Sequence, residues 1–196
     1  MELRELYAAE QRRIAGLAAQ GDLLHPVFGE GPLPAPLMLI GEAPGREEAA
    51  SGRPFVGKAG KTLNELLQKA GIGREHVFVT NAVKYRPMQP QGNANRTPGA
   101  KEICGGLTLF SEELLAVRPR IVATLGNAPL RAIFALLGEA PATIGALHGQ
   151  ALPFELAGLK STLCPLYHPA SVIYNPALRA ALEQDLITLG ELYKAR

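Results

Sequence analysis

A chain of 196 residues with 47% hydrophobic and 19% charged residues has an ordinary globular composition, enough for one well-buried domain and short for two. No apolar run approaches the roughly 20 residues that span a bilayer, the charged start Met-Glu-Leu-Arg-Glu has no apolar stretch behind it, and two cysteines are too few for a disulfide framework, so a cytoplasmic protein is expected. A net charge of +2 and a pI near 8.6 permit a polyanionic partner without requiring one.

Residues 2–19 set Leu3, Leu6, Tyr7, Ile14 and Leu17 among charges, the pattern of an amphipathic helix. A connection rich in proline and glycine follows, and then Leu37-Met-Leu-Ile40, four apolar residues without alternation that suit a strand buried on both faces. Gly41 stops that strand. The polar stretch to Gly57 reads as a loop carrying Glu42 at its first turn, a stiffening Pro44 and a lone aromatic, Phe55. Leu63, Leu66, Leu67 and Ala70 mark a helix over about 58–70, ended by Gly71. A second strand, Val77-Phe-Val-Thr80, runs into Asn81, and residues 88–99 form a polar loop expected to be mobile. A helix over 99–117 stops at Arg118-Pro119, a third strand spans Ile121–Leu125, and a helix follows Gly126-Asn127. Short apolar pieces in 140–160 suit edge pairing, a fourth core strand spans Thr162–Leu166, and the last helix begins near Pro176.

Strands alternating with helices through right-handed crossovers predict a three-layer α/β/α sandwich around a central, mainly parallel four-stranded sheet. Such a sheet delivers Glu42, Asn81, Gly126-Asn127 and His168 to one rim, the place where open α/β sheets hold ligands. Each has a plain structural reading: Glu42 as a solvated loop residue, Asn81 as a turn residue, His168 as a structural histidine, Phe55 as core. Together, a carboxylate, an amide and an imidazole suit acid/base or hydrogen-bonding chemistry. Lys58-Ala-Gly-Lys61-Thr62 is no nucleoside-triphosphate loop, because the pattern ending at Thr62 demands glycine where Phe55 stands. His25, His76 and His148 share no metal-ligand spacing, and no metal site is expected.

Gly41-Glu-Ala-Pro-Gly45, Gly52-Arg-Pro-Phe-Val-Gly-Lys-Ala-Gly60, Thr80-Asn-Ala-Val-Lys84 with Arg86-Pro87, and His168-Pro-Ala170 resemble the ordered motifs of family 4 uracil-DNA glycosylases, from about Phe28 to the last helix. The resemblance implies a monofunctional DNA repair enzyme, monomeric, that flips deoxyuridine out of single- or double-stranded DNA and hydrolyses its N-glycosidic bond, with other deaminated bases as further candidates. It implies that Glu42 orients the attacking water and faces the cationic sugar, and that His168 donates a hydrogen bond to uracil O2 as charge builds there. Asn81 would read uracil N3-H and O4, Phe55 would stack on the flipped ring, and Gly41 and Ala43 would complete the uracil pocket. Lys58 and Lys61, at the start of a helix, are candidate phosphate contacts. Ser171 and Ile173 lie beyond His168 as DNA contacts, with Ile173 as the wedge that fills the gap in the duplex. Val172 and Ile173 packing against the last helix is an equally good reading.

The sequence departs from that family in its cysteines. The family pattern has four for a [4Fe-4S] cluster; the corresponding positions fall near Ile14 and Leu17, at Tyr85 and at Cys104, while Cys164 lies off the pattern. The expectation from this count is that no cofactor is bound and that Cys104 is a small buried hydrophobe. Gly45 stands where the wider superfamily has a thymine-excluding tyrosine, and residues 82–104 contain no histidine for covalent capture of DNA. The missing thiolates also leave a second reading open, a lesion-binding or nucleic-acid-binding protein that keeps the pocket with little turnover.

Overall fold

The computed structural model describes residues 3–18, 25–89 and 94–195, and at its centre lies strand β1 (Leu37–Gly41), buried at every position. A run without polar side chains leaves neither face to water, so both must be covered. β1 pairs in parallel with β2 (Val77–Asn81) on one side and with β3 (Ile121–Leu125) on the other. Next come β5 (Leu159–Leu166), parallel to β3, and β4 (Leu152–Leu156), antiparallel at the edge, giving the order β2-β1-β3-β5-β4. The sheet therefore has five strands where four core strands are expected. The added one comes from the 140–160 stretch, and its pattern, with Phe154 buried between exposed Pro153 and Glu155, is that of an edge strand in which proline is tolerated.

The alternation of a strand sends Met38 and Ile40 to one face of the sheet and Leu37 and Leu39 to the other. The first face is covered by α4 (Ala100–Val117) and α5 (Asn127–Leu137), with α1 (Leu3–Ala18) packed outside α4. The second is covered by α3 (Lys58–Lys69) and α8 (Arg179–Lys194). These are the three layers that the sequence predicts. Three short helices are additional: α2 (Arg46–Ser51) inside the stretch read as a loop, α6 (Ile144–Leu147), and α7 (Ser171–Tyr174) after His168. Part of the 88–99 loop is also tied down, by a bridge between Met88 and Asn95. No described helix is long and apolar enough to cross a membrane.

From β1 the chain crosses to β2 on one side and then to β3 on the other. Their carboxyl ends diverge and open a crevice at the place where the strand order reverses.

Candidate active site

A cleft of about 510 Å³ opens at that rim, bounded by Ala43, Phe55, Lys58, Asn81, Asn95 and His168 among others, a size suited to a small ring system. A second hollow of about 390 Å³ lies on the opposite rim, beside Arg74 and Glu75 ahead of β2, and holds none of the candidate residues.

Strand pairing builds the floor. Gly41 and Asn81 are register partners at the ends of β1 and β2, and the backbone continues the ladder with the Ala82 N–H donating to the Gly41 carbonyl at 2.9 Å. A side chain on Gly41 would overlap both the Asn81 amide oxygen and the Phe55 ring, so the absence of one is what lets those two groups meet over the strand end. Asn81 is 3% exposed, and its carboxamide makes no hydrogen bond among the described residues. Its amide atoms reach the cleft and are not sealed from water, so they are open to a ligand's hydrogen bonds.

Phe55 is held by strain. Its φ is +57°, a left-handed conformation that costs a bulky residue on the order of 1–3 kcal/mol. Gly60 accommodates it, because any β-carbon there would overlap the Phe55 carbonyl. The loop is closed by Glu48 on α2, whose carboxylate accepts the Gly45 N–H at 3.1 Å and the Gly57 N–H at 2.7 Å. Glu48 is thus a structural residue of the site that sequence reasoning misses. Its available signal is a glutamate three residues after the helix-capping Gly45.

His168 follows β5 and is partly buried against the cleft. Burial pushes its pKa down to about 4, against a weaker opposing pull from Glu48, so the imidazole is neutral at physiological pH. The Ala170 N–H donates to its Nδ1 at 3.1 Å, which makes Nδ1 an acceptor and leaves the proton on Nε2. A neutral Nε2–H donor results.

Glu42 stands one residue past the floor and is not part of the cleft lining, where its neighbour Ala43 is found. Burial raises its carboxyl pKa, partly offset by Thr97 and Arg131, so the side chain is oriented toward α5 and the 94–99 segment. Asn95 does line the cleft, its oxygen accepting from Arg86 Nε at 2.6 Å, and is a second residue that sequence reasoning misses. At Gly45 the neighbouring groups are the Glu48 carboxylate and, 3.5 Å from where a β-carbon would stand, the Asn95 amide nitrogen.

Residues 28–188 match the family model described as the uracil DNA glycosylase superfamily. The chain belongs to this superfamily. It is 40% identical over 166 residues to a Type-4 uracil-DNA glycosylase of Archaeoglobus fulgidus, covering 85% of this chain and 81% of the relative. A Type-4 enzyme of Thermotoga maritima is 33% identical over 187 residues, covering 94% and 92%. A Type-5 uracil-DNA glycosylase of Pyrobaculum aerophilum is 32% identical over 165 residues, covering 76% and 68%.

These relatives overturn one expectation. Counting thiolates predicts a chain without cofactor, whereas the matches place it among Type-4 glycosylases, the iron-sulfur members of the superfamily, so that expectation is withdrawn. The donor set in this superfamily member is nonetheless distinct. Ile14 is fully buried, the Tyr85 hydroxyl donates to Glu102 at 3.4 Å, and the two cysteines are far apart in sequence, Cys164 buried in β5 and Cys104 exposed on α4 rather than buried as expected. The chain's two cysteines are fewer than the four thiolates that such a cluster takes.

The expected DNA contacts of this glycosylase-superfamily chain divide. Lys58, the first residue of α3, is exposed at the cleft mouth with Arg46, while Lys61 is exposed one turn further on and outside the lining. The Ser171 hydroxyl turns inward, donating to the His168 carbonyl at 2.6 Å, so it braces the histidine instead of facing outward. The side chain of Ile173 lies outside the described residues.

Proposed function

We propose that this chain excises uracil from DNA by hydrolysing the N-glycosidic bond of deoxyuridine, leaving an abasic site. The observation that carries this reading is one cleft lined by three groups: the Asn81 amide and the Phe55 ring, which meet over Gly41, and a neutral His168 with its proton on Nε2.

The pocket accepts a flipped base, since a base inside a duplex presents neither its faces nor its pairing edge. Phe55 stacks on the uracil ring. Asn81 accepts from N3–H with its carbonyl and donates to O4 with its amino group; cytosine lacks the first donor and presents an amine where the second acceptor is needed. As the glycosidic bond lengthens, negative charge grows on uracil O2 and the His168 Nε2–H stabilises it by a hydrogen bond, with no proton transfer required. A group already neutral at physiological pH does this without first losing a proton. Glu42 orients and deprotonates the water that attacks the sugar. Its raised pKa is the direction a base needs. Lys58, Lys61 and Arg46 take the phosphates flanking the flipped nucleotide, and Ile173 enters the stack it leaves. The enzyme works as a single-domain cytoplasmic monomer on single- and double-stranded DNA.

Incubation with a uracil-containing oligonucleotide followed by alkali tests the reading. Cleavage at the uracil position, lost with a thymine oligonucleotide, is the expected result. Tight binding of the uracil strand with no abasic product would establish the binding-only alternative instead.

A further inference from the structure

Behind Asn81 lies a charged pair that the catalytic reading leaves unused. Lys84 is 1% exposed and Glu113, on α4, is 0% exposed, and they meet at 2.5 Å. Burying two charges is costly, and apolar residues of similar volume at such places are commonly as stable or more so, so stability alone does not account for the pair.

Its hydrogen bonds point elsewhere. The Lys84 ammonium has three donors and three acceptors within reach: Glu113 Oε2 at 2.5 Å, Thr80 Oγ1 at 2.7 Å and the Asn81 carbonyl at 2.6 Å. Glu113 is held in turn by the Tyr7 hydroxyl from α1 at 2.8 Å and by the Thr80 hydroxyl at 3.2 Å. On its other side the 81–84 turn is pinned to the continuation of β1, with Ala82 N donating to Gly41 O and Val83 N to Glu42 O. The Asn81 carboxamide has no protein partner of its own among the described residues. Its aim is therefore set by its backbone, and the side-chain group that holds that backbone is Lys84.

We propose that the buried Lys84–Glu113 pair is the positioning device of Asn81, fixing the carbonyl at the end of β2 and thereby the direction in which the carboxamide meets the base. The inference rests on Asn81 reading uracil, as proposed above. Lys84 and Glu113 touch neither base nor sugar; they act through Asn81, and through Tyr7 they make α1 part of the support of the site.

A double-mutant comparison tests this on the full chain. Lys84→Met keeps length and removes the charge; it should slow single-turnover excision of uracil on the order of tenfold in the native background and by less than about twofold in an Asn81→Ala background, because residues acting through one another are not additive. Equal slowing in both backgrounds would overturn the proposal, since it would mean that Lys84 supports the site generally. Where Lys84→Met alone does not fold, Lys84→Met/Glu113→Leu replaces the whole pair by apolar groups and is compared in the same two backgrounds. An independent readout is the Asn81 side-chain amide resonance pair, identified by its loss in Asn81→Ala. The pair should shift in Lys84→Met, and unchanged positions would refute the positioning role. A native chain that neither excises uracil nor binds free uracil would sink the uracil reading, while the amide resonances would still decide whether Lys84 aims Asn81.

Discussion

Lowering the pH is the most direct perturbation of His168, because the site depends on this imidazole staying neutral. Its pKa falls from an ordinary 6.5 to about 4 through burial in the cleft wall. The unfolded chain binds a proton below about 6.5 and the folded chain only below about 4, so across that window the unfolded state holds more protons. Stability contributed by this group is therefore complete above pH 6.5, falls as pH drops from there toward 4, and is constant below. At about 1.4 kcal/mol per pKa unit the loss is ~3 kcal/mol. Since His168 keeps some surface in the open cleft, this is an upper bound. Urea unfolding at intervals from pH 7.5 to 4 should show the decline, and His168→Gln should flatten it. The imidazole can also be followed directly: the ¹⁵N and ¹³Cε1 resonances of His168 should show no titration between pH 8 and 5, with Nε2 protonated. A titration centred near 6.5, or a proton on Nδ1, would refute both the burial argument and the tautomer assigned from the Ala170 N–H. The excision rate gives a third check. A neutral donor predicts a rate independent of pH through 6–7, whereas a histidinium donor would make the rate rise as pH falls through that range.

Glu42→Gln should lower single-turnover excision by about 10² to 10⁴ while leaving binding of uracil DNA intact, as loss of a base that positions water does; an unchanged rate would remove Glu42 from the chemistry. In the native chain the acid limb of the pH–rate profile should lie above the ordinary glutamate range, because burial raises this carboxyl, and activity should be lost as pH falls through it. Asn81→Asp should weaken discrimination between uracil and cytosine in a competition assay, since a carboxylate replaces the amide donor, and strict uracil preference in that variant would refute the assigned contact. Gly60→Ala should lower the melting temperature and slow excision together, because the added methyl would overlap the Phe55 carbonyl and force backbone movement at a cost of about 1–3 kcal/mol. A variant with native melting temperature and rate would show that Phe55 does not depend on that close approach.

What the sequence makes legible here follows the distance over which each cause acts. The strands around β1 are visible because burial on both faces requires continuous apolar runs, and the rim residues Glu42, Asn81 and His168 are visible because each directly follows such a run. β4 is legible only as edge pairing somewhere in 140–160, since one buried Phe154 flanked by an exposed proline and glutamate fixes no bounds until β5 is there to pair with it. α2 has no buried residue and hence no periodicity; what holds it is the reach of Glu48 to Gly57, nine residues away. Glu42 is half legible: its place after β1 is local, but the direction of its side chain depends on Thr97 and Arg131, which arrive from elsewhere in the fold. Lys84 closes the Thr80–Lys84 motif, but nothing local in the sequence marks it as buried, and lysines are mostly exposed. It becomes a buried ammonium only because Glu113, 29 residues later, enters on α4 opposite it. The same division separates reading from supporting in the site itself. Groups that face the ligand are exposed to view as motif residues at strand ends, whereas the groups that fix their protonation and aim, the Ala170 N–H on His168 and the Lys84 ammonium on Asn81, come into place only once the chain has closed on itself. A chain could therefore retain every motif residue and lose the site through its supports, and Glu113, outside all the recognisable motifs, is where such a loss would be least visible in the sequence.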